Sequence, residues 1–143
     1  MRLLVAFDGS EGSRAALREA TALAREMGAE VVLLRVLNPL TDAADVVAPS
    51  TAEAMVVVRQ RATDEMRDAV IAVALPTETP VEVIEVERGE DIAEAIERMA
   101  EQRRARMIVI SSRRAGSVLG AALGSVTGHV IRNAPCPVLV VRE

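Results

Sequence analysis

The sequence has almost no aromatic side chains. It contains no Trp and no Tyr, and Phe7 is its only Phe. Proteins that bind single-stranded nucleic acid stack the bases on aromatic rings, and proteins that bind duplexes carry basic surfaces. The net charge here is −4. We therefore expect no nucleic-acid partner.

Cysteine and long apolar runs are also scarce. The single Cys136 cannot form an internal disulfide, which is typical of a reducing compartment. The apolar run before Asp8 is too short for a signal peptide. The longest uncharged run, 115–131, is slightly short for a membrane-spanning helix and carries four glycines. These features predict a cytoplasmic protein with no membrane partner.

Reactive side chains are few and isolated. His129, the only histidine, has no acidic residue within one helical turn, which favours a surface role over general-base catalysis. Cys136 lies between Pro135 and Pro137 and is typical of a small buried apolar residue, with a redox-sensing thiol as the alternative. No His, Cys and carboxylate cluster has the spacing of a metal site, so we expect no resident metal and no catalytic residues.

Aliphatic side chains dominate instead, and half of the residues are hydrophobic. Short apolar segments alternate with segments of helical periodicity, which predicts α/β architecture. The predicted strands are 2–7, 31–37, 81–86, 107–110 and 138–141. We expect one domain, residues 1–143: a single open five-stranded parallel sheet, Rossmann-like, with helices on both faces.

Capping signals place the predicted helices. One helix runs from Ser10 to the stop signal at Gly28, and a capping-box pattern at Ser50 and Glu53 opens a second. Apolar periodicity predicts a third after Ile92, and 125–133 form a short last helix. The segment 38–49 carries turn signals at both ends and is interpreted as a long loop.

A ligand site is predicted where the strand order reverses. With the first strand central, the order is 3-2-1-4-5, and the reversal lies between strands one and four. The segments "FDGS" and "SSRRAGSVLGAALGSV" follow these strands. The second has glycines at 116, 120, 124 and 128, which suits either close helix packing or a loop that lets backbone N–H groups approach a phosphate.

The chain resembles the universal stress protein family over nearly its whole length. Three segments carry the resemblance: "LLVAFDGSEGSRAALREA", "AEVVLLRV" and "LGSVTGHVIRNAPCPVLVV". Nucleotide-binding members of that family carry G-x-x-G, nine residues, then G-S or G-T. Here Gly124 and Ser125 match the final pair. Ser111 and Arg114 stand where the two earlier glycines would be, and their side chains fill space that glycine leaves empty. Arg114 also brings a guanidinium group suited to phosphate oxygens.

The resemblance implies a site for an adenine nucleotide, with ATP as the expected cofactor and Mg²⁺ carried by its phosphates. Ala6, Phe7, Asp8 and Val36 would line the adenine side, and Ser111 would lie near the ribose. The residues facing the phosphates would be Arg114, Gly124, Ser125 and Val126. Taken alone, Asp8 is equally typical of a turn and Ser125 of a helix N-cap.

The implied protein is a small stress-response module that binds ATP, with at most slow hydrolysis because no residue is placed to activate water. The alternative is a dimeric scaffold of the same fold that has lost nucleotide binding through Ser111 and Arg114. In both cases a homodimer is expected through the apolar edge strand Val138 to Val141, since apolar edges favour pairing and the family resemblance implies dimers.

Overall fold

The structure, a computed structural model, describes residues 1–112 and 124–142. Its elements in chain order are β1 (Arg2–Ala6), α1 (Glu11–Met27), β2 (Glu30–Leu37), α2 (Pro39–Asp42), α3 (Thr51–Ala72), β3 (Val81–Glu85), α4 (Ile92–Gln102), β4 (Met107–Ser112), α5 (Ser125–Asn133) and β5 (Val138–Arg142). The strands form one sheet in the order β3-β2-β1-β4-β5, and all four pairings are parallel. The predicted fold class and strand order are confirmed.

Two hydrophobic layers sandwich the sheet because successive side chains of a strand point to opposite faces. Leu3 and Val5 of β1 pack in the layer with α1 and α3. Leu4, between them, packs in the other layer with α4 and α5. The buried central strands explain the near absence of polar residues from β1 and from the first half of β2.

Side-chain caps start the helices α1 and α3 as the sequence predicts, and a further cap starts α4. Ser10 Oγ accepts a hydrogen bond from Ser13 N (3.2 Å), and Ser50 Oγ accepts one from Glu53 N (3.2 Å). Asp91 forms a full capping box with Glu94 at the start of α4. These caps satisfy N–H groups that have no partner within their helices.

The structure differs from the sequence prediction most at two places, and the other four strands differ from their predicted bounds by one residue at one end. The expected loop at 38–49 contains α2, because Asn38 caps its start and Pro39 supplies a preset φ at the first helical position. Strand β4 continues two residues beyond 110, since Ser111 and Ser112 still pair with Val141 and Arg142. This extension brings Ser111 to the carboxyl edge of the sheet.

Strands β3 and β5 are the two sheet edges, as predicted. No helix in the described part of the chain is long and apolar enough to cross a membrane.

Candidate functional site

A cavity of about 520 Å³ opens at the carboxyl ends of β1 and β4. Eight of the nine predicted site residues line it: Ala6, Phe7, Asp8, Val36, Ser111, Gly124, Ser125 and Val126. The ninth, Arg114, lies outside the described residues, as do Arg113, Gly116 and Gly120. Residues more than 100 positions apart in the sequence, such as Ala6 and Ser111, therefore line the same cavity.

The turn after β1 holds Asp8 at the rim of the cavity. Asp8 Oδ1 accepts a hydrogen bond from Ser10 N (2.9 Å), so its carboxylate orders the turn while the residue lines the cavity. Gly9 has φ +83°, a left-handed conformation that side chains disfavour. Phe7, just before it, is buried, with Arg14 above its ring at 5.5 Å from the centroid.

Glu65 of α3 packs directly against this turn. A Cβ added at Gly9 would overlap the Glu65 carboxylate. That carboxylate pairs with Arg14 (Nη2 to Oε1, 3.0 Å) and with Arg35 (Nη1 to Oε2, 3.8 Å). Arg35 also lines the cavity. The turn that carries Asp8 is thus fixed from the α3 side by a three-residue charge cluster.

The first turn of α5 forms the opposite wall. Gly124 is the N-cap and provides no side chain to accept a hydrogen bond. The first intrahelical bond is donated by Gly128 N to Gly124 O (2.9 Å), so the N–H groups of the first turn have no acceptor inside the helix. These N–H groups and the positive end of the helix dipole suit an anion such as phosphate. Ser125 is the first helical residue, as predicted, so the alternative in which Ser125 is the N-cap does not hold.

A hydrogen bond joins the two halves of the glycine motif. Thr127 Oγ1 donates to Ser111 O (2.9 Å), which fixes the first turn of α5 against the end of β4. Ser111 itself pairs with Val141 in the sheet. Its backbone is not left-handed, since the only non-glycine residues with positive φ in the described ranges are Ala74 and Arg104. Serine at position 111 therefore adds the volume of a hydroxymethyl group without backbone strain.

Several lining residues were missed by sequence reasoning: Ser13, Leu34, Arg35, Thr41, Asp42, Ile92, Ile96, Ile110 and Thr127. The apolar ones were assigned to strand or helix cores, which they also serve. Thr41 and Asp42 lie on α2, in the segment expected to be a loop. The one available signal was Arg35, a charged residue inside an otherwise apolar strand.

The two candidate reactive residues lie away from the cavity lining. His129 Nδ1 is 2.8 Å from Glu97 Oε1, so an acidic partner does exist, on α4 rather than within the histidine's own helix. Burial raises the pKa of the Cys136 thiol, which keeps it protonated and poorly nucleophilic. Within the described ranges, no group of three His, Cys, Asp or Glu residues could hold a metal ion.

A second depression, of about 420 Å³, lies at the other end of the strands, beside the amino ends of β1 and β2. Arg2 bridges it by donating from Nη1 to Arg103 O (3.2 Å), and its Nε lies 3.7 Å from Glu30 Oε2. These contacts tie the start of β1 to its neighbours. We assign this depression a structural role.

Comparison with known proteins gives a consistent result. The model of the universal stress protein family matches residues 1–142. A universal stress protein of Thermus aquaticus is 32% identical over 140 residues, covering 98% of this chain and 97% of that protein. The solved structure of universal stress protein UspA from Lactobacillus plantarum has a TM-score of 0.74 at 26% identity, covering 99% of this chain and 97% of that one.

Two other solved structures share the fold and contain adenine nucleotides. One is a universal stress protein in complex with cAMP, with a TM-score of 0.62, 21% identity and coverage of 99% and 96% of the two chains. The other, from Archaeoglobus fulgidus, is in complex with dAMP, with a TM-score of 0.64, 23% identity and coverage of 98% and 96%. Because the family model and the Thermus relative both span nearly the full length, this chain belongs to the universal stress protein family.

Proposed function

We propose that this protein is a cytoplasmic adenine-nucleotide binding module that holds ATP between the ends of β1 and β4. The observation that carries the proposal is the convergence of the β1 turn, the end of β2, the end of β4 and the first turn of α5 on one cavity. It acts by binding rather than by fast catalysis.

The two sides of the cavity suit the two ends of a nucleotide. Apolar and small residues such as Ala6 and Val36 line one side, with the Asp8 carboxylate at its rim as an acceptor for an amino group. The first turn of α5 offers N–H donors and the Ser125 hydroxyl on the other side. Mg²⁺ would arrive with the phosphates, which supply its preferred oxygen ligands. The cAMP and dAMP complexes of two fold relatives support adenine as the base.

Adjacent serines provide a matched test. Ser111 lines the cavity, whereas Ser112 is absent from the lining. Ser111→Phe fills the cavity and is expected to weaken ATP binding at least about tenfold, equal to about 1.4 kcal/mol, in calorimetric titration. Ser112→Phe should bind ATP like the wild type. Equal affinity in the two variants would contradict this placement of the site.

The scarcity of aromatic residues makes a second test simple. With no Trp and no Tyr, the protein absorbs little near 280 nm, so a co-purified adenine nucleotide would dominate the near-ultraviolet spectrum. We expect that signature, or a rise in melting temperature with added ATP. A preparation with neither property would refute nucleotide binding.

The second candidate function is a dimeric scaffold without a nucleotide. It is favoured by one observation: the hydroxymethyl group of Ser111 stands on the cavity wall where the family motif has glycine. Ser111→Gly distinguishes the two functions. On the scaffold hypothesis the wild type does not bind ATP, and this variant gains binding if side-chain volume is the cause.

Either function includes a homodimer formed through β5. Val138 and Val140 direct their N–H and C=O groups away from β4, because Ile108 N bonds Pro137 O and the pattern alternates. We expect light scattering to give twice the chain mass of 15.3 kDa. Val140→Pro removes an outward donor and should give the monomer mass. A wild type that is monomeric at high concentration would refute the dimer.

A further inference from the structure

Two arginine side chains of α3 reach the other sheet edge, one at β3 and one just before it. Leu33 N donates to Pro80 O and Val86 N donates to Leu37 O, so the even-numbered residues of this segment face β2. The backbone groups of Thr79, and of the other odd-numbered residues up to position 85, then point away from the sheet. Unpaired groups of this kind are a template for another strand.

Two arginines donate to these outward carbonyls. Arg59 Nη1 donates to Val83 O (3.2 Å), and Arg67 Nη1 donates to Thr79 O (2.8 Å). The other terminal nitrogen of Arg59 pairs with Glu85 Oε2 (2.7 Å), which holds the guanidinium at the edge. A strand approaching β3 from outside would have to displace these donors.

The distance between the two arginines along α3 matches the distance between the two carbonyls that they contact. Eight helical residues separate the arginines, or about 12 Å at 1.5 Å per residue. The two carbonyls are four residues apart, which corresponds to about 13 Å at a strand rise of 3.3 Å per residue. Because α3 runs antiparallel to β3, the earlier arginine meets the later carbonyl. One helix can therefore place one arginine on the carbonyl of Val83 within β3 and another on the carbonyl of Thr79, just before the strand begins.

We propose that Arg59 and Arg67 prevent β3 from pairing with β3 of a second copy of this chain. The occupant is a second copy because a two-fold axis places identical outward groups in antiparallel register, donor against acceptor. The sequence VEVIE is rich in β-branched residues, which favours such a strand pair once the arginines are removed. The β5 edge has apolar residues at 138–141. Among the described contacts, no arginine donates to its outward carbonyls. The proposal is independent of nucleotide binding.

The test compares Arg59→Met with Arg61→Met. Arg61 lies on the same helix and is exposed, and both substitutions remove one positive charge. In light scattering over a concentration series, the mass of Arg59→Met should rise above that of the wild type as the concentration increases. A monomeric wild type predicts about twice the chain mass, and a β5 dimer predicts larger assemblies because each dimer has two β3 edges. Arg61→Met should match the wild type.

Two further measurements locate the association. Amide hydrogen exchange at Val81 and Val83 should slow in Arg59→Met as the concentration rises, because their outward N–H groups become bonded. Adding Val83→Pro to Arg59→Met removes one of those donors and should restore the wild-type mass. Unchanged mass in both Arg59→Met and the Arg59→Met/Arg67→Met variant overturns the proposal. So does association without protection at these amides, or equal association of Arg61→Met.

Discussion

Replacing Ser125 with glutamate separates helix stability from phosphate binding, because the two respond with opposite sign. Ser125 is the first residue of α5 and is exposed on the cavity wall. A carboxylate in the first turn of a helix interacts favourably with the helix dipole and raises the free energy of unfolding by about 0.3–1 kcal/mol. The same charge repels a phosphate bound at that turn.

The repulsion can be sized from Coulomb's law. Two unit charges about 4 Å apart interact with about 1 kcal/mol in bulk water and about 4 kcal/mol near a protein surface. At about 1.4 kcal/mol per tenfold change, Ser125→Glu should weaken ATP binding between about 5-fold and about 1,000-fold. The loss should shrink at high salt, since screening weakens the repulsion.

Calorimetric titration and urea unfolding test this prediction together. Thr51→Glu places the same charge at the first residue of α3, outside the cavity lining, and should stabilise its helix without affecting ATP. Ser125→Gln controls for side-chain size, and adenosine, which has no phosphate, should bind Ser125→Glu as it binds the wild type. Unchanged ATP affinity in Ser125→Glu would refute the placement of the phosphates.

Three further predictions concern stability. Met66 is fully buried on the inward face of α3, so Met66→Ala should lower the free energy of unfolding in urea by about 2–5 kcal/mol. Gly9→Ala should cost more than the roughly 1–2 kcal/mol of left-handed backbone strain, because the new methyl group also displaces the Glu65 carboxylate. The Arg98 guanidinium, through its hydrogen bonds, lowers the pKa of Glu90. The part of the stability difference between the wild type and Arg98→Met that comes from Glu90 should therefore be full above the ordinary glutamate pKa of about 4.3 and be lost as the pH falls through the lowered value.

Each of these three stability predictions has a control within the same protein. Gly28 also has positive φ but open space around it, so Gly28→Ala reports the strain alone, and an equal cost at Gly9 would contradict the Glu65 contact. Met27 is exposed, so Met27→Ala should change stability little. A difference between wild type and Arg98→Met that does not vary from pH 7 to pH 2 would exclude the Glu90 contribution.

The sequence predicts the elements well where the signal is local. The apolar strands and the stop at Gly28 follow from periodicity and capping chemistry within a few residues. The α2 helix was missed because four residues are too short for a periodic pattern, although Asn38 and Pro39 carry its start signal. Local chemistry therefore fixes boundaries only where an element is long enough to repeat.

The site was predicted through the motif and the topology, and its supporting contacts could not be. Glu65 meets Gly9 from 56 positions away, and Glu97 meets His129 from 32 positions away. Contacts between distant residues depend on how the helices rotate and pack, which cannot be predicted from a short stretch of sequence. The arginines of α3 are similar, since their role appears only when the strand edge beside them is known.

The most direct measurement is a titration of isotope-labelled protein with ATP, followed by the backbone amide resonances. We expect the amide resonances of Ser125, Val126 and Thr127 to shift most, together with those of Asp8 and Ser111 across the cavity. Adenosine should shift only Asp8 and Ser111. Amide shifts confined to other surfaces, or none at saturating ATP, would contradict nucleotide binding between β1 and β4.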